Sequence, residues 1–426
     1  MEKISAPRGT KDVLPNEVHK WHYLENKLRD VARRSGFHEI RFPTFEDINL
    51  FRRGVGDTTD VVQKEMYDFN DKGGRHIALR PEGTASVVRS VIENGLDKQG
   101  LPIKVYYIAP NFRYEKPQAG RLREHHQFGI ECFGSYDAGA DAEVIGVADM
   151  MLRELGIKDV SLHINSCGCP KCRPRYHEAL KAYFSEREGE LCAMCRDRLT
   201  RNPMRILDCK SAVCHDIAKD APDISDFWCD ECTAHFNKLK KSLDACGIKY
   251  VIDTRIVRGL DYYTNTVFEF IVGGIGAQST ICGGGRYNGL VETLGGQETA
   301  GLGFGSGLER LLLTMEAQGI EIPNNDVPDT FIAAMGAAAS ECAETLTFKL
   351  RGMGIAAERD TLARSLKAQM KYASKIGART SIVIGDDEIT AGRIIIKNMD
   401  NGEKTECALD ACAIADVIGG AKHGEY

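Results

Sequence analysis

Residues 105–133 read VYYIAPNFRYEKPQAGRLREHHQFGIECF, and the fold turns on how this stretch is parsed. Val105-Tyr106-Tyr107-Ile108 at one end and Gln127-Phe128-Gly129-Ile130-Glu131-Cys132-Phe133 at the other read as strands. Between them Pro110 to His126 is polar, charged and turn-rich. Two strands joined by a long charged loop form an antiparallel pair rather than a βαβ unit. Gln127 and Glu131 are four residues apart, so on one strand both side chains emerge on the same face. Lys104 to His126 carries five Lys/Arg against two Glu, a local +3 in a chain of net charge −6. Arg113 falls just after the first strand, and Arg121 and Arg123 just before the second. The planar fork of arginine suits phosphate, although a solvated charged hairpin has the same composition.

Upstream, His19 to Arg34 places Trp21, Leu24, Leu28 and Val31 at the 3,4,3 spacing of one helix face. Gly36 ends the helix, Phe37 to Phe42 alternates as a strand, and Pro43 stops it. Downstream, strands are expected at Tyr250–Asp253, 267–270 and 279–282, and a helix from near Leu308. Residues 319–328 read as a linker. After it, strand, helix and strand at 331–334, 341–351 and 381–384 predict a small separate α/β domain.

The length, 426 residues, predicts two to four domains. A hydrophobic share of 43% and a charged share of 27% exclude collagenous, low-complexity and largely disordered chains. There is no run of 18 apolar residues and no apolar leader, so the expectation is a cytoplasmic protein without a membrane partner. The net acidity excludes nucleic-acid binding through bulk charge, so such a partner would have to be held by local patches.

Three further stretches carry candidate chemistry. Gly301-Leu302-Gly303-Phe304-Gly305-Ser306-Gly307-Leu308-Glu309-Arg310 is a glycine-rich strand-to-helix passage. It fits neither G-x-G-x-x-G nor the P-loop pattern. The helix N-terminus there is placed to face an anion; the glycines are equally those of close backbone packing of strand on helix, and Arg310 beside an apolar run is equally a surface residue. Arg258-Gly259-Leu260-Asp261-Tyr262-Tyr263 offers a guanidinium with phenolic donors. Arg80-Pro81-Glu82-Gly83-Thr84-Ala85 opens a helix running through Val87, Val88 and Val91, where Glu82 and Thr84 are also plausible caps.

Taken together these stretches resemble the class II aminoacyl-tRNA synthetases, and within them the histidyl-tRNA synthetase family. The segment 7–12, Phe42-Pro43, the passage from Phe112-Arg113 to Phe128 and that from Gly303 to Arg310 resemble the opening and the three class signatures. The Arg258–Tyr263 stretch and Gly283-Gly284-Gly285-Arg286-Tyr287-Asn288-Gly289-Leu290 resemble two signatures peculiar to the histidine enzymes. The resemblance covers nearly the whole chain. It implies an α+β catalytic core with a mainly antiparallel sheet at 1–164 and 242–318, a helical cysteine-rich insertion at 165–241, and a C-terminal α/β anticodon-binding domain at 329–426. A homodimer is implied as well.

The implied activity is ATP-dependent activation of L-histidine to histidyl-adenylate, then transfer to the 3′ end of tRNA(His), with Mg2+ accompanying the phosphates. By the same resemblance Arg113 grips the α-phosphate, Arg121 and Arg310 assist the nucleotide, and Arg258 lies near both the histidine carboxylate and the α-phosphate. Glu131 and Tyr263 match the imidazole contacts. Glu82, Thr84 and Gln127 match those to the α-amino group, and Tyr262 and Tyr287 line the pocket. For tRNA the resemblance points to Lys116, Gln118 and Arg123 at the acceptor end. Arg364, Lys367, Lys371 and Lys375, at 3,4,4 spacing, form a basic stripe in the C-terminal domain; such a stripe is also what a solvated helix face shows. A non-catalytic, synthetase-like regulatory subunit of histidine biosynthesis is the alternative. It is disfavoured because Arg113, Arg258 and Arg310 and a C-terminal domain are all present.

The family does not generally carry structural zinc, yet ten of the fifteen cysteines lie between Cys167 and Cys246. Cys169/Cys172, Cys192/Cys195 and Cys229/Cys232 are C-x2-C pairs, and Cys209/Cys214 is C-x4-C. The first two pairs are 19 residues apart, inside a known zinc spacing. Eight thiols would make two tetrahedral Zn2+ sites, with the pairing open; free buried thiols and regulatory disulfides are the other readings.

Overall fold

Eight strands build the sheet that positions the site. Their spatial order is His38–Glu39, Ile103–Phe112, Glu124–Phe133, Gly301–Gly307, Thr280–Arg286, Thr264–Val272, Val160–Ser166 and Val251–Ile252. The computed structural model describes residues 3–56, 59–209, 211–273 and 279–419. All pairings among the six long strands are antiparallel, and only the two-residue edge strands pair in parallel. Ile103–Phe112 and Glu124–Phe133 form the predicted antiparallel pair, in register from Ile103 opposite Phe133 to Phe112 opposite Glu124.

The side-chain period of two divides this sheet into an apolar face and a polar one. Phe128, Ile130, Phe268, Leu302 and Phe304 point to one side. There they are covered by Val18–Arg34, Ala138–Glu154, Asp230–Ala245 and Leu308–Ala317, through Leu24, Leu28, Ile145, Phe236, Leu243 and Leu311. Gln127, Gly129, Glu131, Gly283, Gly303 and Gly305 alternate onto the other side. Helix Thr84–Glu93 closes one end of that side, its Val87, Val88 and Val91 packing with Tyr107, Phe133 and Tyr287.

The predicted strand at Phe37–Phe42 is cut to His38–Glu39. The buried guanidinium of Arg80 takes the carbonyls of Phe42 at 3.0 Å and Pro43 at 2.8 Å, so these groups are satisfied away from the ladder. The Tyr250–Asp253 strand shortens to Val251–Ile252, and the one expected at 279–282 runs on through the glycines to Arg286.

The insertion boundaries expected at 165 and 241 fall inside a strand that continues to Ser166 and inside helix Asp230–Ala245, which packs on the eight-stranded sheet. Between them, helices Arg173–Ser185, Ala193–Arg201 and Ala212–Ala218 enclose a small core of their own. Tyr176, Leu180, Phe184, Leu199, Ile206, Cys195 and Cys214 fill it. Residues 3–322 cluster as one unit and 323–419 as another. The second unit is a five-stranded sheet in the order Ala357–Arg359, Thr330–Ala334, Thr380–Ile384, Arg393–Asn398, Lys404–Ala408, parallel over the first three strands and antiparallel thereafter. Its core joins Ile332, Ile382 and Ile384 to Leu346, Leu350 and Ile414. Among the described residues, no helix is long and apolar enough to cross a membrane.

Candidate active site

The polar face of the sheet is the floor of a cleft of about 1160 Å³. Its glycines are set by what lies on them. A Cβ at Gly303 would stand 2.0 Å from Glu131 Oε2, and one at Gly305 would stand 1.8 Å from Gln127 Nε2. At Gly283 it would meet the Arg258 guanidinium at 2.6 Å. Three long polar side chains therefore lie flat on backbone, which only glycine permits. The glycines thus serve close approach, here by side chains of neighbouring segments, and the approaching groups are among the candidate site residues.

Arg113, Arg121, Arg258 and Arg310 all line this cleft. Each is oriented by the chain itself. Arg113 Nε donates to Pro81 O at 2.8 Å, Arg310 donates to Thr280 O at 2.6 Å and Gly120 O at 3.2 Å, and Arg121 pairs with Glu115. Burial lowers the pKa of Arg310; burial followed by the nearby Arg113 and Arg310 lowers that of Arg121. His125 records the same field: burial, then Arg113, His126, Arg310 and Arg121, push its imidazole down to about 3. A cleft that crowds guanidinium groups and holds a histidine neutral is arranged for a polyanion. Arg310 sits in the first turn of Leu308–Ala317, beside Glu309, which accepts from the His126 N–H at 2.9 Å and pins the helix to the strand.

Arg258 is paired with Glu269, whose other oxygen accepts from Thr280 Oγ1 at 2.8 Å. The Arg258 Nε has no partner and is buried in the cleft wall. The pair raises the Arg258 pKa against the effect of burial, so the charge is fixed. Tyr263 and Tyr262 lie beside it with ring centroids 4.8 Å apart and the rings tilted by 47°, and Tyr262 meets Tyr287 edge-on at 5.6 Å.

Glu82, Thr84, Gln127, Tyr262, Tyr263 and Tyr287 line the same cleft. Glu82 accepts from the N–H groups of Thr84 and Ala85 at 2.8 Å each, so it caps the helix as well as facing the cleft. Burial raises its pKa. Gln127 is held by Asn111 Nδ2 at 2.7 Å and donates to Tyr107 Oη at 3.3 Å, which fixes its amide. Glu131 emerges on the same face as Gln127 but is covered, 1% exposed. Thr84 Oγ1 donates to it at 2.7 Å and Tyr287 Oη donates to its second oxygen. Burial pushes the Glu131 carboxyl up to about 8.

Lys116 and Gln118 line the cleft in a tight turn in which Gln118 and Arg121 exchange backbone hydrogen bonds at 3.1 and 2.9 Å. Arg123, expected at the acceptor end, is not among the residues that line the cleft. Arg123 stacks over Tyr114 at 3.8 Å, and its backbone N–H donates to Gly9 O at 2.7 Å. Arg364 is not on the predicted helix face, because helix Leu366–Lys375 begins after it. Its guanidinium pairs with Asp360 and stacks on Tyr372 at 4.1 Å. Lys367, Lys371 and Lys375 do form an exposed stripe on that helix. Glu269, His125 and Asn111 carry geometry that the sequence reading does not single out. Glu269 is legible as a carboxylate amid apolar strand residues; the other two give no signal. Arg286 of the Gly283–Leu290 signature is structural. It is 1% exposed and donates to Asp141 Oδ2 at 2.5 Å and Ser135 O at 2.6 Å.

The eight cysteines resolve into Cys169, Cys172, Cys229, Cys232 and Cys192, Cys195, Cys209, Cys214, the sulfur atoms of each set lying within 4.8 Å of one another. The pairing is nested, one set inside the other along the chain. The spacing match between Cys169/Cys172 and Cys192/Cys195 is therefore not a shared site. Measured Sγ separations are 3.6, 3.8 and 3.8 Å in the first set and 3.9 Å in the second. A disulfide needs about 2.05 Å. Four sulfurs about 2.3 Å from one tetrahedral ion stand about 3.8 Å apart.

The family model described as histidyl-tRNA synthetase matches residues 9–311, and one described as anticodon binding domain matches 329–414. A histidine–tRNA ligase of Acetivibrio thermocellus is 54% identical, covering 95% of this chain and 97% of its own. One of Clostridium perfringens is 54% identical over 97% of this chain and 99% of its own. The crystal structure of apo histidyl-tRNA synthetase of S. aureus superposes with a TM-score of 0.82 at 42% identity, covering 97% of this chain and 99% of that one. A sheet of this topology, a cleft holding the signature arginines and matches over nearly the full length all agree: the chain belongs to the histidyl-tRNA synthetase family.

Proposed function

We propose that this cleft activates L-histidine with ATP and transfers the histidyl group to the 3′ end of tRNA(His), with the following division of work. A carboxylate oxygen of histidine attacks the α-phosphorus, the bond to the bridging oxygen breaks, and pyrophosphate leaves. A hydroxyl of the terminal tRNA ribose then attacks the acyl carbon, and AMP departs. Both steps call for positioning and for fixed positive charge where negative charge gathers. Arg113 and Arg258 take the α-phosphate and Arg121 and Arg310 the rest of the nucleotide, while Mg2+ enters with the ATP phosphates as part of the substrate. Glu82, Thr84 and Gln127 hold the α-amino group. Glu131, Tyr263 and Tyr287 hold the imidazole, with Tyr262 behind them. Such a site rejects apolar analogues, because its own buried groups would be left unpaired. The regulatory reading lacks support beside relatives of 54% identity that are histidine–tRNA ligases over their whole length. We also assign the chain to the cytoplasm and to a homodimer, and the two thiol sets to structural Zn2+.

The observation that carries the reading is the meeting of Arg113, Arg258 and Arg310 around one cavity that also holds the tyrosines. Histidine-dependent ATP–pyrophosphate exchange tests it: exchange with histidine and none with phenylalanine is expected, and no exchange with any amino acid refutes it. For tRNA, we assign Lys116 and Gln118 to the acceptor end and Lys367, Lys371 and Lys375 to the RNA backbone. Replacing the three lysines by alanine is expected to raise KM for tRNA. It should also flatten the salt dependence of binding by about 0.7 in log–log slope per lost contact. An unchanged slope in a salt titration would return that stripe to ordinary solvated surface.

A further inference from the structure

The inner thiol set closes a loop. Cys192 and Cys195 bracket the start of helix Ala193–Arg201, Cys209 follows the turn Pro203–Ile206, and Cys214 lies in helix Ala212–Ala218. Residues 196–208 are therefore tied at both ends to one cluster. Their free side meets the segment that carries Arg258. Arg205 donates to Gly259 O and lies 3.6 Å from Asp261 Oδ1, and Asn202 Nδ2 donates to Asp261 Oδ1 at 3.2 Å. Arg198 Nη1 donates to Arg205 O at 3.0 Å and ties the loop through Nη2 to Asp60 Oδ2 at 3.0 Å. Val257, next to Arg258, packs into the insertion's own core, which contains Cys195, Cys209 and Cys214. Met204 and Tyr263 pack against the same small cluster of Cys167, Ile256 and Val267. Cys192 and Cys209 themselves line the cleft.

We propose that the site of Cys192, Cys195, Cys209 and Cys214 binds one Zn2+ whose role is to position the catalytic loop: the ion fixes residues 196–208, and these hold the Arg258–Tyr263 loop. This rests on the zinc reading above and adds to it a consequence for catalysis. The sulfurs, all within 4.8 Å of one another, are spaced for a single tetrahedral ion rather than a cluster, whose inorganic core would spread its cysteine sulfurs further apart. Backbone N–H groups aim at the sulfurs, Cys192 N at Cys214 Sγ at 3.2 Å and Ser211 N at Cys209 Sγ at 3.5 Å, as thiolate ligands require. The outer set does different work. Cys169 follows one end of the insertion and Cys229 precedes the other, so that site ties the neck, with Asn265 Nδ2 donating to Cys232 Sγ at 3.4 Å. Without the inner ion the loop 196–208 keeps its sequence but loses its anchor. Arg205 then no longer holds Gly259, and Arg258 drifts from the reacting phosphorus, a displacement of the kind that costs rate more than binding.

The experiment reads metal content and exchange kinetics on the full-length protein purified without chelators. The wild type is expected to hold two Zn2+ per chain. Cys214→Ser is expected to hold one, with kcat for exchange lowered roughly 10- to 100-fold and KM for ATP little changed. Arg205→Ala separates positioning from metal loss. It should keep both ions and its melting temperature yet reproduce the kcat defect, with Arg205→Lys recovering part of it. A wild type without metal overturns the zinc reading and the inference with it. Two ions in the wild type, with full exchange in Cys214→Ser or in Arg205→Ala, overturn the positioning role alone. Should Cys214→Ser not fold, the Arg205 pair decides.

Discussion

Arg258→Ala is expected to abolish histidine-dependent exchange, lowering kcat/KM by about 10³-fold while leaving the fold intact. The size follows from its place. The Arg258 guanidinium is the fixed positive charge lying across Gly283, with its Nε buried and unpaired, next to the tyrosines of the pocket. Removing one preorganised donor from a transition state in a water-poor site costs about 3–4 kcal/mol, and here a full charge goes with it. The fold should survive because the sheet beneath is glycine backbone closed on its far face by an independent core. Arg258→Lys keeps the charge but not the fork, so it should recover only a small part of the rate. Glu269→Gln tests the orienting partner. It leaves the guanidinium present but loosened, and a smaller fall in kcat is expected. Near-normal exchange in Arg258→Ala, measured beside an unchanged circular dichroism melt, would refute the assignment.

The same residues show how far the sequence can be read. The strand pair around 105–133 is legible because two β-prone runs flank a charged turn, and the period of two alone puts Gln127 and Glu131 on one face. The glycines of 301–307 are legible as special but not as to why. Gly303 and Gly305 are needed by side chains on a neighbouring strand, a relation between residues more than 150 positions apart that no local pattern encodes. The cysteines are legible as candidate metal ligands by type and spacing. Their nesting is not, since it depends on helices Arg173–Ser185 and Asp230–Ala245 bringing the ends of the insertion together. Arg123 and Arg364 each lie over a local aromatic ring, Tyr114 and Tyr372, a contact that a basic residue in a basic stretch does not announce in the sequence.

Glu131 carries the second large expected effect, because its proposed contact with the imidazole would join substrate choice to pH. Its carboxyl sits near 8 through burial, against the pull of the Tyr287 and Thr84 hydroxyls. An unfolded glutamate titrates near 4.3. The folded pKa is the higher one, so the folded state holds more protons between the two values. This group's contribution to stability is full below about 4.3 and is lost as pH rises towards 8, at up to about 1.4 kcal/mol per pH unit. Glu131→Gln cannot titrate, so its melting temperature is expected to fall less steeply from pH 5 to 8 than that of the wild type. Histidine changes the balance. An imidazole N–H aimed at Glu131 favours the carboxylate, and an imidazolium favours it more, so the bound pair shares the proton that the empty pocket keeps on the acid. Losing a hydrogen bond to a charged group costs about 1.5–3 kcal/mol, so Glu131→Gln should lower kcat/KM for histidine by roughly 10- to 100-fold. It should also flatten the pH dependence of KM for histidine between pH 6 and 8, with KM for ATP unaffected. A wild-type pH profile retained in the Glu131→Gln protein would show that another group holds that proton, and the imidazole slot would then have to be sought elsewhere along the cleft.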